Sequence, residues 1–159
     1  MAAGAVTVAV GTTGVGGTLI GASLSNRNAL GIDLSSKYIN AYKKASRELG
    51  LKFQTTIKGD CITVLKEKKF IEEFLKERKF SLISIDPPYG DMMSREKTGE
   101  AIKKNQSSDS TPFTKNKKDL GNMNWLDFKE NFIETIKYSM PFLKDRGHYV
   151  VFIKDLQPK

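Results

Sequence analysis

The chain has 159 residues, with 26 lysines and arginines against 18 aspartates and glutamates, for a formal net charge of +8. This length, with 39% hydrophobic residues, predicts one globular domain over residues 1–159 with a core of its own. The single cysteine, Cys61, excludes an internal disulfide framework and a cysteine-based zinc cluster, and it favours a reducing compartment, the cytoplasm.

The ends and the charge of the chain narrow the class of protein further. No apolar run approaches ~18 residues, and Met1 to Val10 lacks the basic start of a secretory signal, so we expect neither membrane insertion nor export. The excess of positive charge is compatible with a polyanionic partner such as nucleic acid.

Short strand-like apolar runs alternate with longer helix-like stretches along the chain. The predicted order is βαβαβαβ, then a long loop, then αβ, which is typical of a parallel sheet with crossover helices. Strands are predicted at Ala5 to Val10, Ala29 to Ile32, Phe53 to Ile57, Ser81 to Ile85 and Tyr149 to Ile153. The fold class is therefore α/β, a mostly parallel sheet with flanking helices.

Three stretches carry apolar residues at the spacing of a helix face. The stretch Cys61 to Lys79 mixes them with lysines, which we assign to a solvated face. The other two stretches comprise Tyr38, Tyr42, Ala45 and Leu49, and Trp125, Phe128, Phe132, Ile136, Met140 and Leu143. We interpret these two sets as helix faces packed on the sheet, and we give the aromatic stripe no role in ligand binding.

Between Gly90 and Met123 the periodicity disappears, and the composition turns to Lys, Ser, Asn, Asp, Thr and Gly. A loop of this length inside a compact domain is typically functional or disordered. We interpret residues 90–123 as a long loop on the substrate side, with a modest basic excess.

The first candidate site is the run Gly14-Val15-Gly16-Gly17-Thr18, which follows the first predicted strand and opens a helix. Its glycines allow close approach of a ligand to the backbone. Asp33 ends the second predicted strand, where a carboxylate can accept hydrogen bonds from ribose hydroxyls. The pattern favours a nucleoside cofactor. The alternative is a plain tight turn, with Asp33 beginning a helix that Ser35 and Ser36 cap.

The second candidate site is Asp86-Pro87-Pro88-Tyr89, directly after the fourth predicted strand. Two consecutive prolines stiffen this edge of the sheet. Asp86 and the Pro87 carbonyl can accept hydrogens from the amino group of a planar base, while Tyr89 stacks on its ring. The alternative is a strand-terminating turn with a surface tyrosine.

The order of these motifs resembles the S-adenosylmethionine-dependent amino-methyltransferases that modify adenine or cytosine in DNA. The stretch Gly16 to Tyr38 is similar to their cofactor motif and ribose-binding acid, and Gly59-Asp60-Cys61 to the segment beside the cofactor adenine. Later segments also resemble those of restriction-modification methylases: Pro112-Phe113-Thr114, Leu120-Gly121-Asn122-Met123 and Gly147 to Ile153. The resemblance implies a Rossmann-like methyltransferase fold, S-adenosylmethionine as cofactor and DNA as partner.

The resemblance also assigns residues to roles. The D-P-P-Y motif in this order is its most specific part and implies that Asp86, Pro87, Pro88 and Tyr89 are catalytic. The residues implied to bind the cofactor are Gly14, Gly16, Gly17, Thr18, Asp33, Asp60 and Cys61. Aspartate rather than serine at the head of the motif favours adenine over cytosine as the target.

This chain departs from the family pattern in two places. The family usually carries Asp-Pro-Phe before the first glycine, where this chain has Val10-Gly11-Thr12, so the carboxylate expected to hold the methionine amino group is missing. The family sheet continues beyond five strands, and we therefore expect a fragment that lacks the last strands. An exposed sheet edge would invite self-association as a homodimer.

Two other functions stay open. D-P-P-Y-G with a G-G-T-L-I loop also resembles RNA methyltransferases that act on the guanine exocyclic amino group, and a catalytically inactive nucleic-acid-binding fragment would keep the fold without the cofactor. Cys61 follows the third strand rather than the fourth, which argues against a cytosine ring-carbon nucleophile. We interpret His148 as a strand-end residue, and no metal site is predicted, since no ligand cluster has metal spacing.

Overall fold

The computed structural model of the protein describes residues 6–9, 16–88, 90 and 114–152. Its five strands are β1 (Val6–Ala9), β2 (Asn28–Asp33), β3 (Thr55–Lys58), β4 (Phe80–Ile85) and β5 (Leu143–Val151). They form one sheet in the order β3-β2-β1-β4-β5. Every neighbouring pair is parallel, which confirms the predicted α/β class.

The helices connect these strands in the predicted order. They are α1 (Gly17–Leu24), α2 (Ser36–Glu48), α3 (Cys61–Glu67), α4 (Lys69–Leu75) and α5 (Trp125–Ser139). Two short 3-10 helices, Leu120–Asn122 and Met140–Phe142, precede and follow α5. The single helical stretch expected from Cys61 to Lys79 is wrong in detail, because Lys68 adopts a φ of +58° that ends α3 and begins α4.

The chain divides into two compact units. The larger consists of Met1–Pro87 together with Thr135–Lys159 and contains the sheet, and the smaller consists of Pro88–Glu134. Among the residues that the structure describes, no helix has both the length and the apolar character needed to cross a membrane.

The core of the larger unit is built on its central strands. All of β2 after Asn28 is buried, which is typical of a parallel strand covered on both faces. The ring of Tyr42 on α2 is fully buried, and its hydroxyl accepts a 2.6 Å hydrogen bond from the backbone N–H of Gln54. The Gln54 side chain then links three segments, because it accepts from the Ala29 N–H at 2.8 Å and donates to the Arg27 carbonyl at 2.9 Å.

Strand β5 lies at one edge of the sheet and is longer than expected, since it begins at Leu143 rather than at Tyr149. Its pairing with β4 is irregular between Phe80 and Leu82, opposite a stretch in which Arg146 has a φ of +56°. The irregularity divides β5 into a first part and a second part that pairs regularly with β4. This division explains why only the second part has a clear apolar pattern in the sequence.

Several apolar residues expected in the core lie at the surface. Trp125 is 62% exposed and Met140, a later residue of the same stripe, is 47% exposed, while Leu143 begins β5, so the assignment of the whole stripe to a helix face in the core is wrong. Leu49 is 59% exposed because it follows the last turn of α2. Phe128, in the middle of the stripe, is buried as expected.

Candidate active site

The carboxyl ends of the parallel strands bring three acidic residues to one edge of the sheet. Asp33 is the last residue of β2, Asp60 follows β3, and Asp86 follows β4 directly. The chain moves outward from β1 in one direction through β2 and β3, and in the other through β4 and β5. Open parallel sheets bind ligands at such a switch point, beyond the carboxyl ends of the strands.

Gly16 is the N-cap residue of α1. Its φ of +81° lies in the left-handed region that favours glycine. A Cβ atom added there would lie 2.7 Å from Cβ of Tyr42, so the close approach of α1 to α2 also requires glycine. Gly17 and Thr18 are exposed in the first turn of α1, whereas Gly14 lies outside the described residues.

The Asp33 carboxylate is 3% exposed and organises the turn between β2 and α2. Its Oδ1 accepts a 2.7 Å hydrogen bond from the Ser35 N–H, and its carbonyl accepts one of 3.0 Å from the Gly59 N–H. Ser35 occupies the N-cap position of α2, but its hydroxyl makes no capping hydrogen bond. The Asp33 carboxylate thus stabilises the turn before α2, and the expected capping of this helix by serine hydroxyls is wrong.

Asp60 is the N-cap residue of α3. Its Oδ2 accepts from the Thr63 N–H at 3.0 Å and from Thr63 Oγ1 at 2.5 Å, which is the usual arrangement of a carboxylate capping a helix. Cys61 is half-buried in the first turn of the same helix. The bond from Gly59 to Asp33 joins the ends of β2 and β3, and so keeps the two acidic segments side by side.

The motif after β4 combines one exposed carboxylate with two buried prolines. Asp86 is exposed, Pro87 and Pro88 are buried, and Tyr89 lies outside the described residues. The Pro88 carbonyl accepts a 3.0 Å hydrogen bond from the Gly90 N–H, and Gly90 has a φ of +58°. These features make a tight, rigid turn at the end of a buried strand.

Asp119 is a residue of this region that sequence reasoning missed. It is 1% exposed, and it accepts from the Gly121 N–H at 3.0 Å and from Thr114 Oγ1 at 2.7 Å. A Cβ added to Gly121 would lie 3.1 Å from Cβ of Pro88, so the turn that Asp119 holds packs against the motif within the smaller unit. An aspartate two residues before a glycine is a signature of such a turn and was available in the sequence.

Tyr149 on β5 has the one resolved pKa shift in the described part of the chain. Burial raises its pKa from 10.0 to about 12, a hydrogen bond with Ser139 opposes that rise, and the charge of Cys61 adds to it. The Tyr149 and Ser139 hydroxyl oxygens lie 2.8 Å apart, and Ser139 Oγ also lies 3.0 Å from the Ile136 carbonyl oxygen. Tyr149 is therefore neutral at physiological pH.

In the described segments, no three His, Cys, Asp or Glu side chains cluster in a way that could hold a metal ion.

No family model and no curated protein matches the chain. Solved structures do resemble it. An rRNA methylase from Streptococcus thermophilus superposes with a TM-score of 0.53 at 10% identity, covering 94% of this chain and 61% of that one. An S-adenosylmethionine-dependent methyltransferase from Clostridium acetobutylicum gives 0.52 at 14% identity, covering 92% of this chain and 42% of that one.

A short chain oxidoreductase from Pseudomonas aeruginosa is also similar, with a TM-score of 0.55 at 17% identity, covering 92% of this chain and 52% of that one. The chain thus spans between 42% and 61% of the length of these three structures. The likeness establishes the fold, which is the Rossmann-like methyltransferase fold predicted from the sequence. An oxidoreductase shares this architecture, so the activity has to be argued from the site.

Proposed function

We propose that the protein transfers a methyl group from S-adenosylmethionine to the exocyclic amino group of a base in DNA, with adenine favoured over cytosine. The observation that carries this proposal is the position of Asp86-Pro87-Pro88, at the end of the strand that neighbours β1 across the switch point of the sheet. An oxidoreductase activity, which the fold would also allow, would not require this motif at the end of β4.

The residues of the first three strands fit the chemistry of the cofactor. Asp33 and Asp60 stand at the ends of adjacent strands, and each carboxylate can accept about four hydrogen bonds, enough to serve its own turn and a ligand hydroxyl or amino group. Among the described residues, no atom beyond the neighbouring backbone lies within 4 Å of a Cβ added to Gly17, so this part of α1 leaves room for a ligand to approach the backbone. Asp33 would hold the ribose, Asp60 the adenine, and Gly16 and Gly17 the remainder.

S-adenosylmethionine supplies an activated methyl on its sulfonium, so the protein needs no nucleophile of its own. What the chain must do is orient the amino nitrogen. That nitrogen is a poor nucleophile because its lone pair is delocalised into the base. Hydrogen bonds from the amino group to the Asp86 carboxylate and the Pro87 carbonyl favour a pyramidal nitrogen, and they strengthen as positive charge develops there.

The target base must leave its stack to reach Asp86, which costs a few kcal/mol in a duplex. Tyr89 is the aromatic residue of the motif, and we propose that the extruded base stacks on it. The buried Pro87 and Pro88 hold the backbone of this edge in place, so the acceptors need no reorganisation when the base arrives.

RNA is the second candidate substrate, and the likeness to an rRNA methylase favours it. Assays of methyl transfer from labelled cofactor to unmethylated duplex DNA and to RNA separate the two. Digestion of the product to nucleosides then identifies the base and the modified nitrogen. Label found only in RNA would replace DNA by RNA in this proposal and leave the chemistry unchanged.

The decisive variant is Asp86→Ala. We expect methyl transfer to fall by about two to three orders of magnitude, while the affinity for S-adenosylmethionine, measured by calorimetry, stays within a factor of about two. Asp145→Ala, which removes another exposed carboxylate of the same unit, is the matched control and should leave both quantities unchanged. Equal loss of binding and transfer would make Asp86 structural. Absence of cofactor binding by the unaltered protein would reduce the chain to an inactive nucleic-acid-binding fragment.

A further inference from the structure

An exposed aromatic surface lies at the start of α5, in the smaller unit. Trp125 is 62% exposed and Leu126 is 65% exposed, although both begin a helix whose later aromatic residues turn inward. The Trp125 ring stacks on Phe128 with 5.6 Å between centroids and 24° between planes, and Phe128 stacks on Phe132 at 5.8 Å and 4°. The indole is therefore fixed by a buried ring while much of its surface faces solvent.

This aromatic stack is joined to the D-P-P-Y motif through Gly90. A Cβ added to Gly90 would lie 3.7 Å from Cβ of Phe128 and 3.2 Å from the Met123 carbonyl oxygen. The turn that follows Tyr89 thus rests on the ring that supports Trp125. Gly90, Met123, Trp125 and Phe128 all belong to the unit Pro88–Glu134, so this neighbourhood holds within one compact body.

The smaller unit also contains an open cavity of about 480 Å³, and its lining includes Asn124, the residue before Trp125 in the chain. Its lining residues are Thr114, Lys115, Lys117, Asn122, Met123, Asn124 and Asp127. The loop that carries the lysines is held rigidly, because Asn122 Nδ2 donates to the Thr114 and Asn116 carbonyls at 2.8 Å and 2.9 Å. Lys115 and Lys117 are exposed at its surface.

The one carboxylate of the cavity is already engaged. Asp127 Oδ2 accepts a 2.7 Å hydrogen bond from Asn124 Nδ2, and the Asp127 N–H donates to Asn124 Oδ1 at 3.0 Å. This reciprocal pair closes the first turn of α5, where a negative charge is favoured by the helix N-terminus. Lys115 and Lys117 outnumber this carboxylate, so the lining of the cavity carries a net positive charge.

We propose that Trp125 and the adjoining lysines bind an unpaired nucleotide of the nucleic acid that the enzyme methylates. The base stacks on the indole, and Lys115 and Lys117 contact its phosphates. Stacking on an exposed aromatic ring beside cations is how proteins hold single strands, and a paired base offers no free face to Trp125. This inference rests on the proposed function, and it specifies that the substrate is single-stranded or locally opened at this point.

The test uses intrinsic fluorescence, because Trp125 is the one tryptophan of the chain. The full chain, without cofactor, is titrated with a single-stranded oligonucleotide of mixed sequence and with its duplex. We expect the single strand to quench the indole emission and to bind about tenfold or more tightly than the duplex. Fluorescence anisotropy of labelled oligonucleotide then gives the affinity of variants that lack tryptophan.

Trp125→Ala should weaken single-strand binding by about tenfold, and Trp125→Phe should recover most of that loss, because phenylalanine retains a ring for stacking. Phe70→Ala, which removes a ring 48% exposed on α4, is the matched control and should bind like the unaltered protein. Because Trp125 is mostly exposed, we expect the circular dichroism of the variants to match that of the original chain.

Three results would overturn the inference: binding without quenching, unchanged affinity of Trp125→Ala, or equal affinity for single strand and duplex. These failures differ from failure of the proposed function. If the unaltered protein binds no S-adenosylmethionine and transfers no methyl group, yet its indole is quenched by single strands, the enzyme proposal falls and the nucleotide surface stands. If methyl transfer proceeds and Trp125→Ala leaves binding and transfer unchanged, the surface falls alone.

Discussion

Two acidic residues of the candidate site stabilise the starts of helices in the fold. Asp33 holds the turn into α2 through the Ser35 N–H, and Asp60 caps α3 through Thr63. These bonds restrict the carboxylates to one orientation before any ligand arrives, which lowers the entropy lost on binding. The same bonds predict that replacing either residue alters stability as well as cofactor affinity, so neither variant separates the two roles.

Gly16 allows a cleaner test, because three glycines of the larger unit isolate the two reasons for glycine. Gly16 combines a φ of +81° with a Cβ contact of 2.7 Å to Tyr42, Gly50 has a φ of +63° with nothing within 4 Å, and Gly17 has open space and no positive φ. We expect Gly16→Ala to lower the free energy of unfolding by about 3 kcal/mol. Gly50→Ala should lower it by about 1 kcal/mol, whereas Gly17→Ala, at a compatible helical position, should raise it by about 0.5 kcal/mol.

Urea denaturation of the three variants measures these differences without cofactor. A loss at Gly16 no larger than that at Gly50 would mean that α1 and α2 can separate slightly to admit a methyl group. The contact of Gly16 with Tyr42 would then not be the reason for glycine at the start of α1.

At the scale of whole elements, the sequence predicted what depends on burial and missed what depends on local backbone angles or on packing partners. Strands β2 and β4 were predicted within two residues at each end, because buried parallel strands are continuous apolar runs. The break at Lys68 was not predicted, since a lysine with positive φ leaves no mark on the apolar pattern. Helical periodicity predicted the helix face that Trp125 and Phe128 share. It could not predict which residues of that face are covered by the rest of the protein.

The acidic edge of the site was predictable for a related reason. The carboxyl ends of parallel strands share one edge of the sheet, so the positions of Asp33 and Asp86 follow from the strand predictions alone. The roles of Asp119 and Trp125 were not predicted, because both depend on the course of the loop before α5, where the sequence has no periodicity.

The Gln54 side chain links α1, β2 and the start of β3 through hydrogen bonds that the sequence pattern does not predict. Its side chain is 7% exposed and bonds to the Ala29 N–H, the Arg27 carbonyl and Ser23 Oγ. Gln54→Leu leaves the buried Ala29 N–H without its acceptor and removes two part-buried hydrogen bonds, and we expect a loss of about 3 kcal/mol in the free energy of unfolding by urea.

The matched control is Asn28→Ala, at the beginning of β2, the strand that contains Ala29. Its amide oxygen accepts an exposed 3.3 Å bond from Lys52 Nζ, and its removal should cost less than about 0.5 kcal/mol. Similar losses for the two variants would show that water reaches the groups around Gln54 when its side chain is removed.

For the molecule as a whole, the net charge of +8 is distributed over surfaces with different functions. The lysines of α3 and α4 lie among glutamates, with Glu67, Glu72 and Glu73 along the same stretch. Lys115 and Lys117 instead line the cavity of the smaller unit. The carboxylate of that cavity, Asp127, is hydrogen-bonded to Asn124. Net charge alone is compatible with a polyanionic partner, and the proposed nucleotide surface assigns the phosphate contacts to Lys115 and Lys117 of the smaller unit.

Salt dependence distinguishes the contributions of charge and stacking. Each phosphate contact releases condensed counterions, so the slope of log K against log salt measures the number of cations engaged, at about −0.7 per contact for single strands. Lys117→Ala should therefore reduce the magnitude of the slope by about 0.7. Trp125→Ala should lower the affinity at every salt concentration with the slope unchanged, because stacking on an indole releases no counterions.

Lys76→Ala is the control for the lysine variant, since Lys76 is exposed at the end of α4 in the larger unit. Its slope should equal that of the unaltered protein. If Lys76→Ala and Lys117→Ala reduce the slope equally, the nucleic acid contacts the whole basic surface without preference. The affinity lost in Trp125→Ala would then measure only the loss of general contact area. The stack of Trp125 on Phe128 would not hold the bound single strand at a defined position.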